Sequence, residues 1–342
     1  MDRHLKWARA LLSSAITSAC EDAGRNINDV RFVSICSSTG YLLPGLTAYV
    51  LKDLGLSREV CRLDIVGMGC HAGLNSVHAA ADWACCNPGE LAIACGVEVC
   101  SAHYIWKHAA ADGKVKGEDI NHAVVNSLFG DGCFATALEA PRGGIGDLNR
   151  TYAVLRTFSS LTATEAITTM DYQYDESAKQ FWFHLDELAP YAVGSALMEL
   201  RGHLKNKGSP IDACRHYVVH TGGQTVIDSV IASLGLDLAE LEPTVRTLKK
   251  YGNQSSASFM FAFAEFLNTP PSNVDVGDVG AFITMGPGAG IECCMWSAGQ
   301  RAVNTACLPL EGWQPAAVTE SGFASKVFVK RIPDPVAKAY GQ

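Results

Sequence analysis

The chain has 342 residues, a formal net charge of −8, 48% hydrophobic residues and 18% charged ones. That balance suits a compact globular protein; it excludes a disordered chain and gives no electrostatic footprint for nucleic acid or an anionic membrane. Thirteen cysteines are scattered through apolar runs such as Cys85-Cys86, with no secretory leader or bilayer-length apolar run, so the expectation is a cytoplasmic protein with reduced thiols and no membrane partner.

Leu5 to Ala23 carries apolar residues at helical spacing and stops at Gly24, so it reads as an amphipathic helix. Val30–Cys36 reads as a short strand, followed by a Ser37-Ser38-Thr39-Gly40 turn and a helix over Leu46–Leu54. Cys61–Val66 reads as a strand that enters a Gly67-Met68-Gly69-Cys70 corner. A helix over Ala72–Cys86 follows, then buried strands over Leu91–Val99 and Gly132–Glu139. Proline and glycine cluster in Pro141-Arg-Gly-Gly-Ile-Gly, the best join between two halves, 1–143 and 144–296. The second half reads as a strand over Tyr152–Ser159, a helix over Leu185–Leu204, a strand over Tyr217–His220 and a helix over Gln224–Leu234. A helix over Ser255–Phe266 follows, and two apolar strands flank Gly286-Pro-Gly-Ala-Gly. Alternating strands and helices predict an α/β protein with mostly parallel, doubly covered sheets. A tail, 297–342, follows; its Val327-Phe-Val-Lys-Arg run is a candidate strand of unknown role.

Three motifs carry candidate chemistry. Cys70 lies where a strand should end and a helix begin, a place that exposes a sulfur and favours its thiolate. His220 closes an apolar run before Thr-Gly-Gly and would project from a strand end into the region where α/β sites form. Asn253 lies between Gly252 and Ser255-Ser256. Each has an ordinary structural reading: a core cysteine, a satisfied strand-end histidine, a turn asparagine. They gain weight together, as a thiol nucleophile and two donors for a developing oxyanion.

In order, Gly69-Cys70-His-Ala-Gly, Leu128-Phe129-Gly-Asp-Gly, His220-Thr-Gly-Gly, Tyr251-Gly-Asn253-Gln-Ser-Ser and Gly286-Pro-Gly-Ala-Gly resemble the type III polyketide synthases. These are the chalcone-synthase-like branch of the thiolase-fold condensing enzymes. The resemblance covers about Leu5 to Met295. It implies a duplicated, layered α/β/α/β/α fold and a homodimer. It also implies an acyltransferase that loads an acyl-CoA starter on Cys70 and extends it with malonyl-CoA by decarboxylative Claisen condensation to a short polyketide. CoA thioesters would be substrates and no cofactor is implied. His220 and Asn253 would hold the malonyl thioester carbonyl and stabilise the enolate, and a Cys70 thiolate paired with an imidazolium would be already activated. Phe129 and Phe183 match the gatekeeper positions. Ser38, Leu43, His103 and Ser255 match positions lining the cavity, with Leu43 on a loop that crosses the dimer interface.

Two departures from that pattern matter. The chain begins at the family's second helix, so the resemblance implies a first sheet lacking its middle strand; the tail is the other. The alternatives are a β-ketoacyl-ACP synthase III-like enzyme making one condensation with an acyl-carrier protein, or an inactive partner subunit. A papain-like hydrolase lacks its Cys-Gly-Ser-Cys-Trp signature here, and the paired cysteines lack zinc spacing.

Overall fold

The computed structural model describes residues 2–104, 117–142, 148–176, 179–270 and 274–305. The first half runs α1 (Asp2–Asp22), β1 (Val30–Cys36), α2 (Leu46–Leu54), β2 (Cys61–Ile65), α3 (Ala72–Cys86), β3 (Leu91–Glu98), α4 (Gly117–Leu128) and β4 (Gly132–Leu138). The second half opens with β5 (Ala153–Thr162), β6 (Met170–Asp175), β7 (Gln180–Leu185), α5 (Ala189–Asn206) and β8 (His216–Val219). It continues through α6 (Gln224–Leu234), α7 (Glu242–Tyr251), α8 (Ser258–Asn268), β9 (Val279–Gly286), β10 (Gly290–Ala298) and α9 (Gln300–Thr305).

The first sheet has the order β2-β1-β3-β4. Its pairs are parallel except β3–β4. The slot expected for a missing middle strand is not open: β1 and β3 pair directly from Val30–Leu91 to Cys36–Gly96, with one register shift after Val30. The second sheet has the order β5-β10-β9-β8. Here β10 runs antiparallel to both neighbours, and only β8–β9 is parallel. Both sheets are mixed as expected, but the antiparallel share is larger than strand–helix alternation suggested. The cause is local: only Pro287–Ala289 separates β9 from β10, and so short a link allows a hairpin but no crossover. A two-stranded hairpin, β6–β7, stands apart from both sheets.

Residue alternation along the strands divides the interior into three cores. Val33 and Ile35 of β1 and Ile93 and Cys95 of β3 face α1 and α2, whose Leu12, Ile16 and Val50 complete that core. Phe32, Ala92 and Ala94 face the opposite way, onto α3 and α8, and Phe282 and Cys294 of the second sheet meet the same helices. Ala281, Ile283 and Cys293 then face Leu197, Leu200, Ile227 and Val230 of α5 and α6. The order is helix, sheet, helix, sheet, helix. The middle layer is the most aromatic, with Phe259, Phe263, Phe266, Phe282 and Trp296 packed edge-on and stacked. Such pairs add roughly 0.5–1.5 kcal/mol each beyond area burial.

The expected helix over Leu185–Leu204 begins at Ala189 instead. Leu185 ends β7, and Pro190 stands in the first helical turn, where its missing N–H has no cost. Neither α4, α7 nor the β6–β7 hairpin was anticipated. No helix among the described residues is long and apolar enough to cross a membrane. The Val327–Arg331 candidate strand, the tail beyond Thr305 and most of the glycine-rich join lie outside the described residues.

Candidate active site

Cys70 sits in a 3-10 turn, Gly69–His71, that leads straight into α3. The turn is held against the second half by close backbone approach. Gly69 has φ +66, and a Cβ there would lie 2.3 Å from Pro287 Cδ. A Cβ on Gly73 would lie 2.0 Å from the Ser256 carbonyl oxygen. The first contact presses the nucleophile corner onto the Gly286-Pro-Gly-Ala-Gly loop, the second onto the asparagine motif. There the Ser255 Oγ stands 3.5 Å from Cys70 Sγ. Ser255 holds a left-handed backbone, φ +51, a conformation that costs a non-glycine residue about 1–2 kcal/mol. That backbone aims its hydroxyl at the sulfur.

Asn253 has its amide orientation fixed. Its Oδ1 accepts from the Ser255 N–H at 2.7 Å and the Ser258 hydroxyl at 3.2 Å, so the amide NH2 is left to donate. Its backbone bridges Phe129, with Asn253 N–H donating to Leu128 O at 2.9 Å and Gly130 N–H to Asn253 O at 2.8 Å. His220 follows β8, its N–H donating to Ile283 O at 2.9 Å, and the Thr221 hydroxyl donates to Gly252 O at 3.0 Å. The three motifs are therefore tied to one another through named bonds.

A cavity of about 40 Å3 opens beside the sulfur. Cys70, Ser38, His103, Phe129, Phe183 and Ser255 line it. Phe129 and Phe183 come from different halves and meet edge to face, with centroids 5.4 Å apart. His220 and Asn253 are buried and are not among its lining residues. Leu43 is not there either: it is fully exposed at 101% on a loop near β2. A larger surface groove of about 440 Å3 along α1, with Lys6, Arg9 and Asp53, holds none of the motif residues.

Burial works against the expected thiolate–imidazolium pair. Burial pushes the Cys70 thiol up to about 12, against a smaller opposing effect of Ser255. Burial lowers His220 to about 3, and His71 nearby adds to the effect. Among the described residues no hydrogen bond joins Cys70 to His220, and His220 Nδ1 is unpartnered. A dry site penalises both charges, and a helix start alone does not offset that. Both shifts favour a neutral thiol and a neutral imidazole.

Two residues on this site were missed from the sequence. Tyr172 of β6 lines the cavity, its hydroxyl donating to Ser38 O at 3.3 Å and its ring 5.9 Å from His103 and 5.8 Å from Phe183. Glu98 ends β3 fully buried, and burial raises its carboxyl to about 7. The signal for it was a lone carboxylate ending an otherwise apolar strand, Leu-Ala-Ile-Ala-Cys-Gly-Val-Glu98. Among the described residues no cluster of three histidine, cysteine or carboxylate side chains could hold a metal ion.

Comparison with known proteins gives this arrangement its family. The profile for chalcone and stilbene synthases matches with its N-terminal domain over residues 7–141 and its C-terminal domain over residues 195–298. The chain is 36% identical to the 3,5-dihydroxyphenylacetyl-CoA synthase of Streptomyces toyocaensis over 296 residues, 86% of this chain and 73% of that one. It belongs to the type III polyketide synthases. The enzyme of the same name from Amycolatopsis orientalis is 37% identical over 299 residues, 86% of this chain and 75% of that one. The crystal structure of 1,3,6,8-tetrahydroxynaphthalene synthase from Streptomyces coelicolor superposes with a TM-score of 0.75 at 25% identity, covering 87% of this chain and 81% of that one. This type III polyketide synthase thus has the thiolase-like layered fold. It is an acyltransferase that condenses malonyl-CoA-derived units with loss of CO2.

Proposed function

We propose that Cys70 carries the growing acyl chain and that His220 and Asn253 serve the malonyl thioester. With thiol and imidazole both neutral, His220 takes the Cys70 proton as the sulfur attacks the starter acyl-CoA. Charge then appears only when it is used, which a dry site favours. The resulting imidazolium and the free Asn253 amide donate to the malonyl thioester carbonyl as CO2 leaves. Each such preorganised donor is worth about 10²–10³ in rate. The enolate carbon attacks the Cys70 thioester, and the C–S bond breaks.

The observation that carries this reading is the fixed Asn253 carboxamide, whose oxygen is doubly occupied so that its NH2 must donate. The narrow cavity supports a short product. Phe129, Phe183, Tyr172 and His103 form its walls, and the Ser38 and Ser255 hydroxyls supply polarity for a keto chain. In line with the name of the 36–37% identical relatives, the product is a small ring built from about four two-carbon units, the count that an eight-carbon phenylacetyl skeleton requires. A second copy of the chain is the fitting partner. Leu43 is fully exposed, with Tyr41, Leu63 and Val66 also exposed on neighbouring segments and β2 an open sheet edge.

Mass spectrometry of the intact protein after incubation with malonyl-CoA and a range of acyl-CoAs tests the nucleophile. An acyl adduct that vanishes in Cys70→Ala is the expected result. An adduct that persists in the variant refutes Cys70, and a single condensation requiring an acyl-carrier protein refutes the iterative reading.

A further inference from the structure

The acyl-transfer chemistry leaves one basic side chain of the cavity unused. His103 closes a short 3-10 turn, Cys100–His103, that follows β3, and its ring borders the cavity beside Cys70. Its Nε2 lies 2.7 Å from the Thr39 carbonyl oxygen. A carbonyl only accepts, so Nε2 carries the hydrogen, and in the neutral ring Nδ1 keeps a bare lone pair. Nδ1 has no hydrogen-bond partner among the described residues. The Nδ1 atoms of His4, His71 and His220 are also unpartnered, but those are sealed in the interior and that of His103 is not.

The ring is anchored. Thr39, whose carbonyl holds it, is itself fixed, its hydroxyl donating to Glu98 Oε2 at 2.9 Å and accepting from the Val99 N–H at 2.9 Å. The Tyr172 ring lies 5.9 Å away, tilted by 43°. The rest of the wall offers no competing base. Burial raises the Cys100 thiol and the Tyr172 phenol well above their ordinary values. The Tyr104 hydroxyl donates to Phe129 O, and Cys70 carries the chain. Among the described residues no carboxylate, lysine or arginine lines the cavity.

We propose that His103 Nδ1 is the base that closes the ring, drawing a proton from a methylene carbon of the finished β-polyketo chain while Cys70 holds that chain as a thioester. The inference rests on the reading above, in which the product is a small ring. The C–H bond breaks, its proton goes to Nδ1 and its electron pair becomes an enolate. The enolate carbon forms a C–C bond to a ketone carbon further along the chain, and the oxygen of that ketone becomes an alkoxide. The imidazolium Nδ1–H returns the proton to the alkoxide, so His103 ends as it began. Loss of water from this aldol and enolisation of the remaining ketones then give an aromatic ring, with no net oxidation or reduction.

A competing fate makes the base matter. An enol oxygen of the same chain can attack its own thioester and release a lactone, a step that takes no proton from carbon. Which product forms depends on how fast a carbanion is made beside the ketone. A positioned imidazole contributes about 10²–10⁴ to such a proton transfer. The bond to Thr39 keeps the Nδ1 lone pair in one place while the chain folds against it, which spares the orientational cost of finding a base in solution.

The experiment compares the products of wild type, His103→Gln and His103→Ala from malonyl-CoA by mass spectrometry, each scaled to the CO2 released. His103→Gln keeps an N–H for the Thr39 carbonyl but has no basic nitrogen. Its ring-closed share is expected to fall about a hundredfold in favour of lactones, and a wild-type share overturns the proposal. In His103→Ala, added imidazole should restore ring closure, whereas pyrazole, of the same size but far weaker as a base, should not. Equal rescue by both leaves His103 only a wall and overturns the assignment. Exchange of the methylene hydrogens of N-butylacetoacetamide for deuterium, followed by proton NMR, needs no condensation. It should run at least about tenfold faster with wild type than with His103→Gln, and equal rates overturn the base. If wild type makes no polyketide, the reading above fails while the exchange still decides His103. A wild type that makes only lactones overturns the ring-closing role and leaves condensation standing.

Discussion

Replacing Gly73 by alanine tests whether the nucleophile corner depends on contact between the halves. The added Cβ would lie 2.0 Å from the Ser256 carbonyl oxygen and 2.8 Å from Phe259 Cε1. Neither neighbour can yield. Ser256 is backbone, and the Phe259 ring is wedged edge-on between Phe134 and Phe282. α3 must therefore move off the asparagine motif by roughly 1 Å, because a close-packed interior has no slack to absorb the atom. Overpacking of this kind costs about 3 kcal/mol, the upper part of the usual range. The same movement opens the 3.5 Å contact between Cys70 and Ser255, and a 1 Å misplacement of reacting groups costs on the order of 10²-fold in rate. Urea unfolding and polyketide formation from malonyl-CoA measure the two effects. Gly202→Ala, inside α5 with nothing within 4 Å, is the control. It should gain about 0.5–1 kcal/mol and keep full activity. A Gly73→Ala protein with wild-type unfolding midpoint and turnover would refute the account.

Acid should unfold this protein early. His4 and His71 are lowered to about 4 and His220 to about 3, in each case chiefly by burial. The unfolded chain binds protons at these sites from 6.5 downwards while the native state refuses them. Stability is therefore lost as pH falls from 6.5 towards the folded values, by up to about 3 kcal/mol for His4 and His71 and about 5 kcal/mol for His220. Glu98 has the opposite sign, its raised value making the native state hold a proton that is lost as pH rises from 4.5 through about 7. Three terms against one leave a net loss on acidification. Unfolding midpoints that stay flat across that range would contradict it, and His71→Phe should shallow the slope. Tyr172→Ala should remove the ring that closes the cavity against His103 and Phe183 and shift products to longer chains. An unchanged product profile by mass spectrometry would show that Tyr172 is not a limiting wall.

The layered fold was legible in the sequence because its strands are short apolar runs bounded by glycine and its helices have clear periodicity. Val30–Cys36, Leu46–Leu54, Ala72–Cys86 and Gln224–Leu234 match the structure residue for residue. The β6–β7 hairpin was passed over although Met170, Tyr172 and Tyr174 alternate with polar residues, because its face is aromatic and half-exposed, not aliphatic. Helix α7, Glu-Pro-Thr-Val-Arg-Thr-Leu-Lys-Lys-Tyr251, is polar apart from Val245, Leu248 and Tyr251, so its stripe was too thin to read. Direct pairing of β1 with β3 could not be read, because pairing is set by packing between distant segments. Six of the nine expected site residues line one cavity. The charge states of Cys70 and His220 depend on burial, which no local motif encodes, and Glu98 was hidden in a strand whose other residues are all apolar or glycine.

The β6–β7 hairpin belongs to neither sheet, yet it supplies two of the aromatic walls beside Cys70, Tyr172 and Phe183. Their rings meet across the ladder, at the Tyr172–Phe183 pair of its register. Two walls of the cavity thus sit on a ribbon outside both sheets, while Cys70 sits at the start of a helix packed between them. Exchanging residues 170–185 between members of the family should transplant selectivity without re-engineering the scaffold, and drift in this ribbon gives new products a route that leaves the layered cores unchanged.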